Sequence, residues 1–257
     1  MNTILFTFIM IMLTTGNINA QDLIIHDKNG NFVTVPLSLI DSITFEEGIE
    51  FTCGVSIVTD VDGNNYSTVQ IGKQCWLGEN LKTTRYQNKI PISYPGVDAI
   101  AWENDSIGAY AWYDNDPLWK DIYGALYNWH ATDSPNGLCP FGWHIATDAE
   151  FMVLLYYLNS NAGGKLKSTR TSPEPHPRWD SPNTGATNEA AWTAFPGGRR
   201  LSNGIYERIG AYGYWWSSYP VSGDRAYYRF IKHDNNKIYK ENSFKNLGLS
   251  VRCVRHE

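Results

Sequence analysis

The stretch LCPFGWHIATDAEF, residues 138–151, combines a cysteine, a histidine, two carboxylates and three aromatic side chains within fourteen positions. Thr147 and Glu150 stand three residues apart ahead of an apolar run, which is the pattern of a helix capping box. Apolar residues then recur at the i, i+3, i+4, i+7 spacing of one helix face: Phe151, Leu154, Leu155 and Leu158. The stretch therefore predicts a helix that begins after Thr147 and ends at Asn159.

A metal site is the alternative interpretation of this stretch, since His144, Asp148 and Glu150 are all potential ligands. Helical residues two positions apart point about 200° away from each other, so Asp148 and Glu150 cannot both face one ion without distortion. Both carboxylates instead suit the positive end of the helix dipole. We interpret the stretch as architecture rather than as an active site, and we expect neither a metal nor another cofactor.

The first twenty residues have the pattern of a secretory signal peptide. Ile4–Leu13 is a mostly apolar run of about ten residues, shorter than the roughly 20 that a membrane span requires. We expect cleavage after Ala20, no transmembrane segment in the mature chain, and a secreted protein in the periplasm, at the outer surface or outside the cell. A secreted chain with a net charge of −5 also argues against a nucleic-acid partner.

Export makes disulfides plausible, and the chain has an even number of cysteines: Cys53, Cys75, Cys139 and Cys253. Four cysteines allow three pairings, and their spacing alone does not choose among them. No two of them have the close spacing of a zinc finger or ribbon, so disulfides are favoured over a metal site.

Residues 21–50 are predicted to form a small β-hairpin unit and a linker. Two short apolar-rich runs, Leu23–His26 and Phe32–Val35, flank Asn29-Gly30, a strong two-residue hairpin signal. Ile40–Phe45 has the composition of a third strand.

Residues 51–257 are long enough for one main domain with a sizeable core. Within it, Asp60–Asn65 reads DVDGNN and resembles a calcium loop, but Asn65 and Ile71 stand where an EF-hand needs glycine and glutamate. We therefore favour a plain turn within a hairpin. An amphipathic helix is predicted after a cap at Asp121 because apolar residues and a histidine recur at helical spacing: Tyr123, Leu126, Tyr127 and His130.

Residues 168–188 contain four prolines and few aliphatic side chains, which predicts a long loop. Beyond it the chain alternates short apolar runs with turn residues such as Pro196-Gly197-Gly198. Strands are predicted around Trp192–Phe195, Tyr214–Ser218, Tyr227–Lys232, Lys237–Tyr239 and Ser250–Val254.

Charge is unevenly distributed, since residues 1–138 carry 6 basic and 16 acidic side chains whereas residues 139–257 carry 15 and 10. Compensation between the two parts of one domain is the simpler explanation. The alternative is a basic face that gathers five arginines: Arg199, Arg200, Arg208, Arg225 and Arg229.

Six motifs occur in the order expected of one known family: TDVDGNNYSTVQIGKQCWLGENLKTT, YGALYNWHA, LCPFGWHIATDAEF, TNEAAWTAFPGGRR, GYWWSS and SVRCVR. Over residues 53–255 the chain resembles the Fibrobacter succinogenes major paralogous domain (FISUMP). That family in turn resembles the C-type lectin-like group, which implies an α+β domain with two helices, small twisted antiparallel sheets and a long loop region. The resemblance also implies a disulfide between Cys139 and Cys253, and hence one between Cys53 and Cys75.

The resemblance argues against two activities of the wider group. Calcium-dependent sugar-binding lectins carry Glu-Pro-Asn or Gln-Pro-Asp, whereas this chain has Glu174-Pro175-His176 and no Trp-Asn-Asp strand. The formylglycine-generating enzymes need a close pair of reactive cysteines, which is not evident here.

We therefore predict a non-catalytic surface or secreted binding module that recognises a polysaccharide or a surface protein. The alternatives are a structural or self-assembling surface protein and, less favoured, a hydrolase or formylglycine-generating-like enzyme. Trp179 in the long loop is expected to expose its ring for stacking, and so is one of the adjacent strand residues Trp215 and Trp216. Arg199 and Arg200 complete the predicted ligand-binding set. The sequence does not predict an oligomeric state.

Overall fold

The structure is a computed structural model that describes residues 22–26, 32–36 and 50–256. The chain divides into two compact units, Met1–Glu50 and Phe51–Glu257.

The first unit contains two antiparallel strands, β1 (Asp22–His26) and β2 (Phe32–Pro36). Their register pairs Asp22 with Pro36 and His26 with Phe32, which confirms the predicted hairpin strands. The predicted signal peptide, the turn, the third strand and the linker lie outside the described residues.

The second unit is a mixed α+β domain built mostly from strands. Its strands in chain order are β3 (Val58–Thr59), β4 (Asn65–Tyr66), β5 (Thr68–Ile71), β6 (Gln74–Leu77), β7 (Tyr110–Ala111), β8 (Leu126–Tyr127), β9 (Trp143–Ile145), β10 (Gly197–Arg200), β11 (Tyr206–Ile209), β12 (Tyr212–Ser222), β13 (Arg225–Lys232), β14 (Ile238–Phe244) and β15 (Cys253–Arg255). Its α-helices are α1 (Ala99–Glu103), α2 (Lys120–Tyr123), α3 (Trp129–Thr132), α4 (Asp148–Leu158) and α5 (Ala162–Leu166). No helix in the described part of the chain is long and apolar enough to cross a membrane.

Two sheets organise the domain. A four-stranded sheet has the order β5-β6-β15-β9, so the last strand lies between strands from the start and the middle of the domain. Disulfides Cys53–Cys75 and Cys139–Cys253 attach to this sheet, as predicted. The larger sheet has the order β11-β10-β12-β13-β14, and its neighbours are antiparallel except for β10 and β12.

Helix α4 begins as the capping box predicted. The Thr147 hydroxyl accepts from the Glu150 amide at 3.1 Å, and the Glu150 carboxylate accepts from the Thr147 amide at 2.8 Å. The helix buries one side against the five-stranded sheet through Phe151, Leu154 and Leu158. Asn159 follows the last helical residue with a positive φ, so the predicted end is also confirmed.

The second predicted helix is wrong. Helix α2 ends at Tyr123 because Gly124 adopts a φ of +78°, and a Cβ there would lie 2.8 Å from the Asn80 Cβ. Leu126 and Tyr127 then pair with β7 as strand β8, and Asn128 caps the short helix α3. The described residues thus contain five α-helices, of which only α4 exceeds two turns, rather than the two expected.

Two smaller predictions near residue 195 are also wrong. Trp192–Phe195 forms no strand and makes only an isolated bridge, between Ala194 and Lys167. Gly197 and Gly198 belong to strand β10 rather than to a turn. Gly198 has a φ of +64°, and a Cβ there would lie 2.5 Å from the Glu207 carbonyl oxygen, so the close strand pairing requires glycine.

An ion pair fixes the start of α4 to the larger sheet. Asp148 bonds the guanidinium of buried Arg229, and its other oxygen accepts from Lys240 Nζ at 2.8 Å. Burial alone would raise the pKa of the Asp148 carboxyl, but the hydrogen bond from Lys240 and the charge of Arg229 outweigh burial and hold the pKa below its ordinary value.

We expect Asp148→Asn to lower the free energy of unfolding by roughly 2 kcal/mol at pH 7, because Arg229 loses its charged partner. A carboxyl with a lowered folded-state pKa stabilises the fold above its unfolded pKa, and this contribution is lost as pH falls through the folded pKa. The difference between wild type and variant should therefore shrink below about pH 4. Urea titrations of both proteins at neutral and acidic pH measure it, and a difference independent of pH would contradict the assignment.

Candidate functional site

The aromatic side chains that the sequence nominated for stacking lie in the core. Trp179, Trp215 and Trp216 are each 0% exposed, so the prediction of exposed rings at these positions is wrong. Trp179 packs in the cluster beneath α4 and donates from Nε1 to the Ala194 carbonyl at 2.9 Å. A ring in this position has no face available to a ligand.

The side chains of Trp215 and Trp216 do alternate along β12, but both faces of the sheet are covered at this point. Trp215 packs beside Trp192 in the cluster beneath α4, with ring centroids 5.0 Å apart. Trp216 enters the opposite cluster and donates to the Tyr127 carbonyl at 2.8 Å. The alternation of side chains along β12 therefore directs Trp215 and Trp216 into two different core clusters, and directs neither of them to solvent.

The five arginines do not form one basic face. Arg200 is 1% exposed and lies over the Trp102 ring, which corrects its assignment to a binding surface. Arg229 pairs with Asp148 beneath α4, and Arg225 contacts Asn242 and Phe244 at the far end of the sheet. Only Arg199 and Arg208 lie together near one surface recess.

The long loop is tied to the domain by buried cations. The Lys167 amino group donates to the carbonyls of Thr184 at 2.8 Å and Asn235 at 3.0 Å, and burial lowers its pKa to about 8. Arg252 donates to the carbonyls of Trp192 at 2.8 Å and Thr193 at 3.2 Å. The segment after α5 is thus anchored to the core through Trp179 and Asn183, while most of its other residues remain exposed or half-buried.

A different surface collects aromatic, hydroxyl and charged side chains on rigid strands. We call it the tyrosine face, a recess of about 220 Å³ on the side of the five-stranded sheet opposite α4. Its lining residues are Arg199, Arg208, Tyr212, Tyr214, Tyr228, Phe230, Lys232 and Glu241. Tyr239 flanks them on β14.

The rings of the tyrosine face stand side by side across three strands. Tyr214 is the direct cross-strand partner of Phe230, which is in turn the partner of Tyr239. Two pairs are close to parallel, since Tyr212 and Tyr214 are 5.6 Å apart at 11°, and Phe230 and Tyr239 are 4.9 Å apart at 16°. Tyr214 and Phe230, which join these pairs, are 5.8 Å apart and tilted by 34°. Because Tyr214, Tyr228 and Phe230 are each at most 5% exposed, the row as a whole does not offer a broad stacking platform.

Cations lie against this row. Lys232 Nζ is 5.1 to 5.8 Å from the ring centroids of Tyr212, Phe230 and Tyr239. The guanidinium of Arg208 lies 5.3 Å from the Tyr212 centroid, and that of Arg199 lies 5.0 Å from Tyr214. Such cation–π contacts hold a positive side chain in place without neutralising its charge.

Two carboxylates border the cations, and each already has a partner. Glu207 accepts from Arg199 Nε at 2.8 Å across strands β10 and β11. Glu241 accepts from the Tyr228 hydroxyl at 2.9 Å. Burial, with Glu241 adding to it, raises the pKa of Tyr228 to about 12, and burial likewise raises the pKa of Tyr214. Both hydroxyls therefore remain protonated at neutral pH, and that of Tyr228 already donates its proton to Glu241.

Two other groups of titratable residues are engaged in local structure. Asp60 accepts from the amides of Asp62 and Asn64 and from the Tyr66 hydroxyl, which confirms that DVDGNN forms a turn. Glu150 accepts from His144 Nε2 at 2.6 Å with one oxygen and caps α4 with the other. No cluster of three or more potential metal ligands is found among the described residues.

A family model described as the Fibrobacter succinogenes major domain matches residues 69–255. The chain belongs to this family. No curated protein and no solved structure gives a significant match. All residues of the tyrosine face lie inside the matched Fibrobacter succinogenes major domain segment, whereas Cys53 and the hairpin unit lie before it.

Sequence reasoning missed most of the tyrosine face of this Fibrobacter succinogenes major domain, although a signal was present. Tyr212 and Tyr214 alternate along one strand, as do Tyr228, Phe230 and Lys232 along the next. This two-residue period places each set on one side of its strand. Of the predicted ligand-binding set only Arg199 belongs to the face, and of the five arginines in the alternative basic face only Arg199 and Arg208 do.

Proposed function

We propose that this protein is a secreted or cell-surface, non-catalytic binding module that recognises a glycan through the tyrosine face. The observation that carries the proposal is the meeting of three cations and several tyrosine hydroxyls in one recess on a rigid sheet. Sites on strands hold their side chains more precisely than sites on loops. A recess of about 220 Å³ is smaller than a typical small-molecule pocket, so it suits one unit of a longer chain.

The state of the other titratable groups supports a non-catalytic role. The His144–Glu150 pair lies beside a cavity of about 470 Å³, which makes it the strongest enzyme-like feature of the domain. Its carboxylate, however, is committed to the helix cap as well as to the histidine. Displacing it for proton transfer would disrupt the start of α4.

Two features support a location outside the cytoplasm. Both pairs of cysteines form disulfides, which persist mainly in oxidising compartments. The apolar run at Ile4–Leu13 has the length of a signal peptide. We accordingly propose that residues 1–20 are removed and that the mature protein is periplasmic, surface-bound or extracellular.

A C-type lectin-like fold is part of the proposal. It is supported by the neighbouring positions of β5, β6 and β15, which bring the start and end of the domain into one sheet. The disulfide from the segment before α4 to the last strand and the long irregular segment after α5 agree with it.

Binding of the full chain to immobilised neutral and acidic polysaccharides tests the function. We expect retention on at least one polysaccharide, and about tenfold weaker binding by Tyr212→Ala, equivalent to about 1.4 kcal/mol. Tyr227→Ala is the matched control, because Tyr227 is a half-buried tyrosine on β13 whose side chain points to the opposite side of the sheet. Failure to bind any polysaccharide, or an equal loss in both variants, would contradict the proposal.

Self-assembly is the second candidate function, and α4 provides the observation that favours it. The helix exposes apolar residues on the side away from the core: Met152, Val153, Tyr156 and Tyr157. Exposed apolar patches of this kind often mark contacts between proteins. Sedimentation of the binding samples without polysaccharide would reveal concentration-dependent assembly if this candidate is correct.

A further inference from the structure

We infer that the group entering the tyrosine face is acidic, so that the ligand is a polysaccharide bearing carboxylate or sulfate groups. This inference rests on the proposed function and specifies the ligand class of the same site. It follows from the balance of charge in the recess, from the hydrogen-bond donors that line it, and from the small area of aromatic ring that is open for a sugar to stack on.

The charge balance is the first argument. Three basic side chains and one acidic side chain line the recess. The acidic one, Glu241, is bonded to Tyr228, and the adjacent Glu207 is bonded to Arg199. Among the described residues no carboxylate lies within 4.0 Å of Arg208 or Lys232. These two cations are held by rings alone and keep their attraction for an anion.

The donor chemistry is the second argument. Arginine, lysine and neutral tyrosine hydroxyls all donate hydrogen bonds, and arginine presents a fork that matches the two oxygens of a carboxylate or sulfate. A neutral sugar needs acceptors as well as donors, and Glu241 is the only carboxylate in the lining. The recess is therefore better matched to oxygen anions than to uncharged hydroxyl groups.

The arrangement of the rings is the third argument. Because Tyr214 and Phe230 are buried and Lys232 lies against the rings of Tyr212, Phe230 and Tyr239, little open ring surface remains for a sugar to stack on. The rings instead fix the positions of the cations and hydroxyls. A ligand must gain its affinity mainly from these polar groups.

The backbone conformation of Arg208 agrees with a role of its side chain in binding an acidic group. Arg208 has a φ of +69°, a left-handed conformation that side-chain-bearing residues adopt at an energetic cost. Arg208 is near the end of β11, and its guanidinium lies beside the Tyr212 ring. Strained residues of this kind concentrate at functional sites.

The test compares ligands that share a backbone and differ in charge. Binding of the full, disulfide-intact chain is measured with polygalacturonate and its methyl ester, with dextran sulfate and dextran, and with poly-glutamate. We expect one acidic polysaccharide to bind at least about tenfold more tightly than its neutral counterpart. Raising the salt concentration from about 50 to about 500 mM should weaken that binding, since charge attraction is screened. The two acidic polysaccharides distinguish a carboxylate from a sulfate.

The variants locate the effect. Lys232→Met and Arg208→Gln should each weaken binding of the acidic polysaccharide about tenfold without a change in melting temperature. Lys237→Met removes an exposed lysine that does not line the recess and should bind as wild type. Loss of binding in Lys237→Met as well would overturn the site, because it would indicate attraction by overall charge.

The remaining outcomes separate this inference from the proposed function. Equal binding of neutral and acidic polysaccharides, with a loss in Tyr212→Ala, would overturn the acidic ligand and leave glycan recognition intact. Binding of poly-glutamate alone would overturn the inference in favour of an acidic protein partner. Binding of none of the polysaccharides would overturn the proposed function itself.

Discussion

Replacing Arg252 with methionine is expected to lower the free energy of unfolding by about 3–5 kcal/mol, because its buried guanidinium joins three separate segments. Nε donates to Asn80 at 2.8 Å, and Nη1 donates to the carbonyls of Leu77 and Trp192, both at 2.8 Å. The guanidinium also lies 4.1 Å from the centroid of the Trp192 ring. Methionine would remove all of these donors, and the Asn80 side-chain oxygen would keep only the hydrogen bond from Trp215 Nε1 at 2.9 Å.

Removing the buried charge has an effect of opposite sign on the free energy of unfolding, because burying a charge is costly. Burial lowers the pKa of Arg252 to about 9, so removing the charge relieves part of the penalty. Hydrogen bonds from a charged group to several acceptors are each worth about 1.5–3 kcal/mol, and together they outweigh that relief. Arg252→Lys should retain only part of this stability. The ammonium keeps a charged donor, but it cannot reach all the acceptors that the planar guanidinium reaches.

Urea unfolding of Arg252→Met, Arg252→Lys and a control measures the effect. Arg255→Met is the matched control, since Arg255 lies three residues further along the chain at the end of β15, is exposed, and holds its guanidinium 3.8 Å from the centroid of the Phe51 ring. We expect the control to change stability by less than about 1 kcal/mol. If Arg252→Met changed stability no more than this control, Arg252 would not hold the loop to the sheet.

Local patterns predicted the parts of the fold that depend on neighbours in sequence. The capping box at Thr147 and the apolar spacing after it determined α4, because cap and first turn are adjacent in the chain. The hairpin strands β1 and β2 followed from their composition in the same way. The disulfide pairing came from the resemblance to a family and not from spacing, which left three possibilities open.

Patterns failed where distant parts of the chain decide the outcome. The spacing of Tyr123, Leu126 and Tyr127 is compatible with a helix, but Gly124 approaches Asn80 so closely that the chain turns there. Leu126 and Tyr127 then gain strand partners from β7. Helical periodicity over two turns is weak evidence when a glycine lies inside it.

The candidate site shows the same limit. Alternation correctly predicted that Trp215 and Trp216 point to opposite faces, but it could not reveal that α4 covers one face and Tyr127 the other. At the start of the same strand Tyr212 is only half-buried and lines the recess, whereas Tyr214, two residues later, is already buried. Which part of an aromatic strand is available to a ligand depends on the length of the elements packed on it.

Replacing Trp179 with alanine is expected to lower the free energy of unfolding by about 3–5 kcal/mol, as removal of a fully buried tryptophan usually does. The composition of the long loop predicted that Trp179 is exposed and that its removal would leave the stability unchanged. In the structure the indole packs in the cluster beneath α4 and donates to the Ala194 carbonyl, and Lys167 Nζ lies 5.4 Å from the ring centroid. Alanine would leave a cavity where the long loop meets the core, and the Ala194 carbonyl would keep only the hydrogen bond from the Ser168 amide at 3.1 Å.

The experiment compares Trp179→Ala with Trp179→Phe and Tyr212→Ala in urea and in thermal melts. Phenylalanine keeps much of the volume and loses the indole donor, so it should cost less than alanine, about 1–2 kcal/mol. Tyr212→Ala should change stability little, because Tyr212 is half-buried on the tyrosine face. The two sites should also separate in binding, since Trp179→Phe is expected to bind polysaccharide as wild type and Tyr212→Ala is not. A folded Trp179→Ala protein with wild-type stability would mean that the indole does not occupy the core, and the long loop would again be a candidate for recognition.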